Sequence, residues 1–352
     1  MFGRRAVLLF GLLVLACSRE AGSSEDKRVL SLNGAGATFP FPLYSKSIAE
    51  YHRLYPSLRI NYQSIGSGGG IRQIVAETVD FGATDAPIRR DEAKGARGPL
   101  VHLPMAIGSI VIGYQLDGVD GELHLTPGVL AGIFLGEIKR WNDPELTAAN
   151  PSMALPDREI TVVFRTDGSG STAALTEYLS SVSPTWKTRV GSGKNVRWPV
   201  GLGAKGNEGV TGLVKGTPGS IGYTELAYAK QNRLRAALIR NRAGKFVAPS
   251  PDAALAAAES VELPDELHVS LIDAPGDGAY PIASYTYLLV YEQPRDADKG
   301  QALARFLWWA VHDGQRYAKQ LDYAPLPAKV VGKVQSRLAG LNAGGRKLLD
   351  GV

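Results

Sequence analysis

Three glycine-rich loops are the segments of this sequence best suited to chemistry. They run Gly34-Ala-Gly-Ala-Thr-Phe39, Gly66-Ser-Gly-Gly-Gly70 and Asp167-Gly-Ser-Gly-Ser171, and each lies between a predicted strand and a predicted helix. Such a loop directs unpaired backbone N–H groups, together with the positive end of the helix dipole, at whatever lies before the helix. A single loop of this kind more often forms an ordinary turn, whereas three with one layout predict a shared anion site.

Side chains in and beside these loops add donors for an anion. Arg165 ends the strand before the third loop, where its guanidinium can bind two oxygens of a tetrahedral anion at once. Asp167 follows closely enough to orient that guanidinium; the alternative is that Arg165 is a surface residue without a ligand. Four hydroxyls complete the donor set: Thr38, Ser67, Ser169 and Ser171.

Asp85 is the one acidic residue predicted to touch the anion. It follows the apolar run from Phe81 to Thr84, and a carboxylate beside a bound anion is repelled unless it accepts a proton from that anion. Phosphate carries such a proton at neutral pH and sulfate does not, and a site built to bond a ligand hydroxyl can reject the analogue lacking it by about 10⁴-fold. The alternative is that Asp85 caps the turn at Ala86-Pro87.

Alternating strands and helices are predicted to position these residues, which indicates an α/β fold. Pro40 suits the first turn of a helix, and the β-branched and aromatic runs at 106–114 and 285–291 are candidates for two strands that cross between lobes. The predicted strands are 29–33, 59–64, 81–84, 106–114, 160–165 and 285–291. The predicted helices are 40–54, 71–79, 125–141, 173–179, 302–312 and 328–341.

The first residues have the pattern of an export signal. Arg4 and Arg5 precede an apolar run at 6–16 that is too short to cross a bilayer, so residues 1–16 are predicted to be a signal peptide. Cys17, the only cysteine, is predicted to be lipidated, with 17–28 as the anchored tether. The alternative is plain cleavage near position 16 or 21, which leaves a soluble exported protein.

Composition narrows the possible classes of partner. The chain has 352 residues and a formal net charge of +5, and its lysines and arginines are dispersed among acidic residues. This length predicts two domains. Dispersed charge argues against a nucleic-acid partner, because a protein that follows a phosphate backbone concentrates its basic residues.

Seven segments of the sequence resemble the phosphate-binding receptors of bacterial high-affinity phosphate ABC importers, the Pst type. Their order and spacing through most of the chain make the resemblance specific. The segments are GAGATFP (34–40), IGSGGG (65–70), VDFGATDAP (79–87), RTDGSGST (165–172), WPVGLGAKGNEGV (198–210), GSIGYTELAYA (219–229) and LDYAPLP (321–327).

The resemblance implies a two-lobed Venus-flytrap fold, each lobe a mixed sheet flanked by helices, with residues 29–110 and 284–352 in lobe 1 and 111–283 in lobe 2. It implies a monomeric receptor, not an enzyme, that binds phosphate without metal or cofactor and passes it to permease subunits at the outer face of the membrane. The implied phosphate ligands are Thr38, Phe39 through its N–H, Ser67, Asp85, Arg165, Ser169, Gly170 and Ser171, with Asp167 as the partner of Arg165. Two positions depart from the family pattern, namely Ser171 for a common threonine and Gly68 for a frequent serine.

Three other interpretations compete with this one. The run Gly201-Leu-Gly-Ala-Lys-Gly206 has the GxGxxG pattern of dinucleotide-binding enzymes, but Pro199 interrupts any preceding strand and 207–209 is expected to start a helix poorly. Ser169 lacks the GxSxG setting of a hydrolase nucleophile. The second competitor is a receptor of the same type for sulfate, molybdate or a phosphonate, and a phosphate-binding adhesin or sensor is a third.

Overall fold

The computed structural model describes residues 29–349, so the predicted signal peptide, Cys17 and the tether lie outside the described residues. The strands are β1 (Leu30–Gly36), β2 (Leu58–Ser64), β3 (Phe81–Thr84), β4 (Leu100–Tyr114), β5 (His124–Leu125), β6 (Thr161–Arg165), β7 (Leu202–Ala204), β8 (Ser220–Glu225), β9 (Arg235–Ala236), β10 (Leu238–Arg240), β11 (Phe246–Val247), β12 (Ala283–Tyr291), β13 (Asn342–Ala343) and β14 (Arg346–Lys347). The helices are α1 (Phe41–Leu54), α2 (Ser67–Val75), α3 (Pro127–Leu135), α4 (Pro144–Ala149), α5 (Gly170–Val182), α6 (Pro184–Arg189), α7 (Gly206–Gly216), α8 (Leu226–Gln231), α9 (Pro251–Glu259), α10 (Ala297–Val311) and α11 (Ala328–Ala339), with short 3₁₀ turns at Asp313–Tyr317 and Lys319–Leu321.

One mixed sheet organises the molecule. Its strand order is β2-β1-β3-β12-β4-β8-β6-β7, with β9 also paired to β4. The outer strands are parallel to their neighbours, whereas β12 and β8 run antiparallel to β4. The predicted α/β class is therefore confirmed. Among the described residues, no helix is long and apolar enough to cross a membrane.

The long strand β4 joins two halves of this sheet. Its residues 100–109 pair with β12 and its residues 110–114 pair with β8. We call β2-β1-β3-β12 the first sheet half and β8-β6-β7 the second sheet half. The strand begins six residues earlier than the predicted 106, because a bulge opposite Thr286 and Tyr287 accommodates Pro104, which lacks a backbone donor.

The two largest hydrophobic cores of the described residues flank the two sheet halves. The first contains β1 and β12 residues together with α10, and the second contains β8 residues with α3 and α5. Alanines of α9 pack in the first core, although the predicted lobe 2 includes residues 111–283. The lobe boundaries stay a prediction.

Several helices begin or end elsewhere than expected. Residues 68–70 lie inside the first turn of α2 rather than in a loop, and α2 ends at Val75. The helix predicted over 125–141 ends at Leu135 because Gly136 is left-handed, with φ of 73°.

The expectation of a poor helix start at 207–209 is wrong, since α7 begins at Gly206. The Asn207 side chain accepts a hydrogen bond from the Glu225 N–H at 3.1 Å and thereby fixes the first turn through tertiary contacts. The apolar positions Val210 and Val214 then bury one face of the helix.

Candidate anion-binding site

Four strand–loop–helix units bring their helix N-termini to one buried place. They are β1–α1 and β2–α2 from the first sheet half, and β6–α5 and β7–α7 from the second. Backbone contact between the halves is direct, because the Gly68 N–H donates to the Gly168 carbonyl at 2.9 Å. The predicted loops therefore face each other across the junction of the two halves, where helix dipoles favour an anion.

Ser67 is the hydroxyl at the centre of this arrangement. It is 1% exposed, and its Oγ donates to Asp85 Oδ2 at 3.3 Å. The same oxygen accepts from the Asp85 N–H at 3.3 Å and from the Gly170 N–H at 3.1 Å. Three of the predicted site residues, from both sheet halves, thus meet at one atom.

Asp85 is a buried carboxyl group held by hydroxyls. Thr286 Oγ1 donates to Oδ1 at 2.8 Å, and Ser284 Oγ donates to the Asp85 carbonyl at 2.8 Å. Burial raises the pKa of Asp85 to about 7, and the Thr286 hydrogen bond and the charge of Arg165 only partly oppose this rise.

The turn after Asp85 is capped by a different residue. Thr84 Oγ1 donates to the Ala86 carbonyl at 2.6 Å and accepts from the Ala86 N–H at 3.2 Å. This leaves the Asp85 carboxyl group directed at Ser67 and Thr286, so the turn-capping interpretation of Asp85 does not describe its contacts.

Arg165 and Asp167 form a bidentate pair at the end of β6. The Arg165 Nε and Nη2 atoms donate to the two Asp167 oxygens at 2.7 and 2.5 Å, and the Arg165 side chain is 1% exposed. Burial acts to raise the pKa of Asp167, but the hydrogen bonds and charge of Arg165 hold it below its ordinary value. The interpretation of Arg165 as a surface residue is therefore wrong.

The hydroxyls of the third loop differ in what they contact. Ser169 caps α5, since its Oγ accepts from the Thr172 N–H at 3.0 Å. Ser171 Oγ is buried and has no hydrogen-bond partner among the residues the structure describes. A buried hydroxyl without a partner is costly, so Ser171 is well suited to bind a ligand oxygen.

Thr38 and Phe39 are fixed by residues distant in sequence. Thr38 Oγ1 accepts from Asn207 Nδ2 at 2.7 Å, and the Thr38 carbonyl accepts from the Tyr228 hydroxyl at 2.6 Å. The Phe39 carbonyl accepts from the Tyr323 hydroxyl at 2.6 Å. These bonds hold the first loop in place against α7, α8 and the segment that follows the second 3₁₀ turn.

The sequence predictions missed several of these supporting residues. Thr286 is a polar residue within an apolar strand, and that contrast is a signal which could have identified it. Asn207 directly follows the glycine-rich run at 201–206, in the segment expected to start a helix poorly. Tyr228 and Tyr323 fall in family-like segments but carry no pattern that points to Thr38 or Phe39.

Within residues 29–349, no group of three or more His, Cys, Asp or Glu side chains is placed to hold a metal ion. The groups that converge here are backbone N–H groups, hydroxyls, one guanidinium and one raised-pKa carboxyl. This donor set suits a tetrahedral oxyanion that carries a proton.

Comparison with known proteins agrees with this geometry. A family model described as a PBP superfamily domain matches residues 21–312. The chain is 43% identical over 317 residues to the phosphate-binding protein PstS of Xylella fastidiosa, covering 89% of this chain and 86% of that protein. It is 43% identical over 310 residues to PstS of Haemophilus influenzae, covering 87% of this chain and 92% of that protein.

Solved structures share the fold. A high-affinity periplasmic phosphate-binding protein (PfluDING) bound with phosphate gives a TM-score of 0.69 at 20% identity, covering 87% of this chain and 93% of that one. The phosphate-binding protein of Stenotrophomonas maltophilia gives 0.67 at 19% identity over the same shares. At this identity the likeness establishes the fold alone, and the predicted two-lobed binding-protein fold is confirmed. With the match to the superfamily and the close PstS relatives, the chain belongs to the PstS family of phosphate-binding proteins within the PBP superfamily.

Proposed function

We propose that this protein is an extracytoplasmic receptor that captures inorganic phosphate between its two lobes and delivers it to an ABC importer. The observation that carries the proposal is the buried Asp85 carboxyl group among anion donors. A carboxylate in an anion site is tolerated where the ligand donates a proton to it, and phosphate does so at neutral pH. The relatives named PstS support the same ligand.

The proposed ligand set is the one predicted from the sequence. Backbone N–H groups at the starts of α1, α2 and α5 surround the anion, and Arg165 binds two of its oxygens while Asp167 orients the guanidinium. Asp85 accepts the phosphate hydroxyl. The full set is Thr38, Phe39, Ser67, Asp85, Arg165, Ser169, Gly170 and Ser171.

The remaining parts of the proposal concern where and with what the receptor acts. It is a non-enzymatic monomer, with no resident metal or cofactor, and it docks onto the permease subunits of a phosphate importer. Lipidation of Cys17 anchors it at the periplasmic or cell-surface side of a membrane, with a soluble periplasmic protein as the alternative. Residues 29–110 and 284–352 form lobe 1, and 111–283 form lobe 2.

Calorimetric titration of ligand-stripped protein with phosphate tests the ligand assignment. The wild type should bind tightly, and Arg165→Ala should weaken binding by about tenfold or more for each lost hydrogen bond, since a charge-assisted bond contributes about 1.5–3 kcal/mol. Arg165→Lys should restore only part, because lysine lacks the planar fork.

Sulfate and molybdate serve as competing ligands in the same titration. Neither should displace phosphate from the wild type in large excess. Strong competition by sulfate would assign the site to an unspecified tetrahedral oxyanion, and near wild-type affinity in Arg165→Ala would place that arginine outside the site.

A further inference from the structure

Lys194 is a buried cation outside the proposed ligand set. Its side chain is 6% exposed, and its Nζ atom donates to Glu92 Oε2 at 2.8 Å and to the Pro87 carbonyl at 3.0 Å. The Glu92 side chain is itself only 17% exposed. Buried lysines are rare unless paired, and here the pairing with Glu92 accompanies the burial of Lys194.

The lysine end of the pair is fixed to the second sheet half. The Lys194 carbonyl accepts a hydrogen bond from the Ser169 N–H at 3.0 Å, directly at the N-terminus of α5. The preceding Gly193 N–H donates to Thr176 Oγ1 on the same helix at 3.0 Å. Lys194 therefore moves with the third glycine-rich loop.

The acceptors of Lys194 are fixed to the first sheet half. Pro87 lies two residues after Asp85, and the next N–H, that of Ile88, donates to His102 Nε2 on β4 at 3.0 Å. Glu92 Oε2 also accepts from the Arg89 N–H at 2.9 Å, which closes the turn between them. The acceptors therefore move with Asp85.

We propose that the Lys194–Glu92 ion pair is a latch that forms only when the two lobes are fully closed and that slows phosphate release. The inference rests on the proposed function. With the lobes apart, each charge is hydrated on its own side of the cleft. Full closure buries both together, while burial of either charge alone is strongly unfavourable, so the pair favours the fully open and fully closed states over partial closure.

The desolvation of the two charges does not cancel the latch. The attraction within a buried ion pair often only offsets the desolvation penalty of its two charges when their remaining donors and acceptors are unsatisfied. Here Lys194 has two acceptors, and Glu92 keeps a backbone donor and partial exposure. Removing Glu92 leaves the buried Lys194 charge with only the Pro87 carbonyl. Removing Lys194 leaves the partly buried Glu92 charge with only the more distant Arg89 guanidinium at 4.0 Å as its cationic partner, so each single substitution destabilises closure.

The release rate of labelled phosphate, chased with excess unlabelled phosphate, tests the latch. Lys194→Met and Glu92→Gln should each release phosphate about tenfold faster or more, the factor that corresponds to one charge-assisted contact. The association rate should stay within about threefold, because contacts formed at closure act mainly on dissociation. The double variant should release phosphate no faster than the faster single variant, since both changes remove one interaction.

The matched control is Lys299→Met, which breaks a lysine–carboxylate pair with Asp80 at 3.0 Å within the first sheet half. Its release rate should stay within about twofold of the wild type, as expected for a site that does not couple to the cleft.

Melting temperatures separate a latch from a general structural contact. Both latch variants should melt like the wild type without phosphate and below it with phosphate.

The other possible outcomes distinguish a failure of the latch proposal from a failure of the proposed function. Wild-type release rates in both latch variants overturn the latch, as does an equal loss of melting temperature with and without phosphate, which marks an ordinary structural contact. Glu92→Gln keeps the test valid if Lys194→Met fails to fold. A wild type that binds no phosphate overturns the proposed function instead.

Discussion

At the scale of single residues, Asp85 links burial to ligand choice. Its carboxyl group bonds Thr286 and Ser67 and is almost fully buried, and burial raises its pKa to about 7. The charged form therefore predominates above that pH and the neutral form below it. A neutral carboxyl group no longer repels a fully ionised anion, so the discrimination of the site is predicted to depend on pH.

Direct titration with sulfate, which stays fully ionised over this range, checks that dependence. In the wild type, sulfate affinity should rise by about tenfold in total as the pH falls from about 8 to 6, because above pH 7 binding takes up one proton at Asp85, whereas below pH 7 the carboxyl group is already neutral. Asp85→Asn should bind sulfate more tightly than the wild type at the higher pH and should lose this pH dependence, while it retains appreciable phosphate binding.

The exposed Asp265, whose side chain is 96% accessible, supplies the control for the loss of one negative charge. Asp265→Asn should leave sulfate binding unchanged at every pH. Sulfate binding by the wild type that is tight and independent of pH would remove Asp85 from its role as the discriminating residue.

At the scale of elements, the site is built from helix N-termini. Their close packing requires a residue without a side chain at position 170, where the chain has Gly170. A Cβ atom there would lie 2.6 Å from Asp85 Oδ2 and 2.8 Å from Ser67 Oγ, both on the first sheet half. Real Cβ atoms do not approach other atoms so closely. Adding a methyl group to α5 therefore obstructs the contact between the two halves while leaving the helix itself intact.

Gly170→Ala should therefore weaken phosphate binding by about fivefold or more, given the typical cost of about 1–3 kcal/mol for overpacking a filled site. Gly212→Ala in α7, where a Cβ meets nothing within 4 Å, is the matched control. It should keep wild-type affinity and stabilise the fold by about 0.5–1 kcal/mol, because alanine favours helix over glycine. Calorimetry and thermal melting measure both effects; equal affinities for the two variants would contradict the packing argument.

Much of the element order is predictable from local patterns, and the rest depends on tertiary contacts. Hydrophobic runs and glycine-rich loops suffice to predict β3, and they also predict that the β1–α1, β2–α2 and β6–α5 units meet at one site. The start of α7 and the first six residues of β4 are not predictable locally, because Asn207 and the bulge beside Pro104 depend on partners elsewhere in the chain.

The supporting contacts of the site are less predictable than its loops. Thr286 reaches Asp85 across 201 positions of sequence, and Asn207 reaches Thr38 across 169. Lys194 likewise makes a contact that is distant in sequence, since its partner Glu92 is 102 positions away. No local periodicity encodes such pairs, so only the folded arrangement reveals them.

At the scale of the whole molecule, several of the contacts between the two sheet halves are polar hydrogen bonds. They include Ser67 with Gly170, Thr38 with Asn207, and the Gly68–Gly168 backbone bond. Such interfaces between lobes permit relative motion. Strand β4 passes from the first sheet half to the second just after Ser109, which pairs with Ala283 at the start of β12, so this junction is suited to act as a hinge.

We expect the lobes to close on phosphate about this hinge, because both sides of the cleft supply proposed ligands. Small-angle scattering should show a smaller radius of gyration for phosphate-loaded protein than for stripped protein, with the loaded form near the value of about 20 Å expected for a compact chain of this length. Arg165→Ala, given the same phosphate concentration, should keep the larger radius, because it lacks the contact that stabilises closure. An identical radius of gyration for stripped and loaded wild type, with phosphate demonstrably bound, would show that capture does not require closure. It would also contradict the proposed latch, because the Lys194–Glu92 pair would then have no open state in which it is broken.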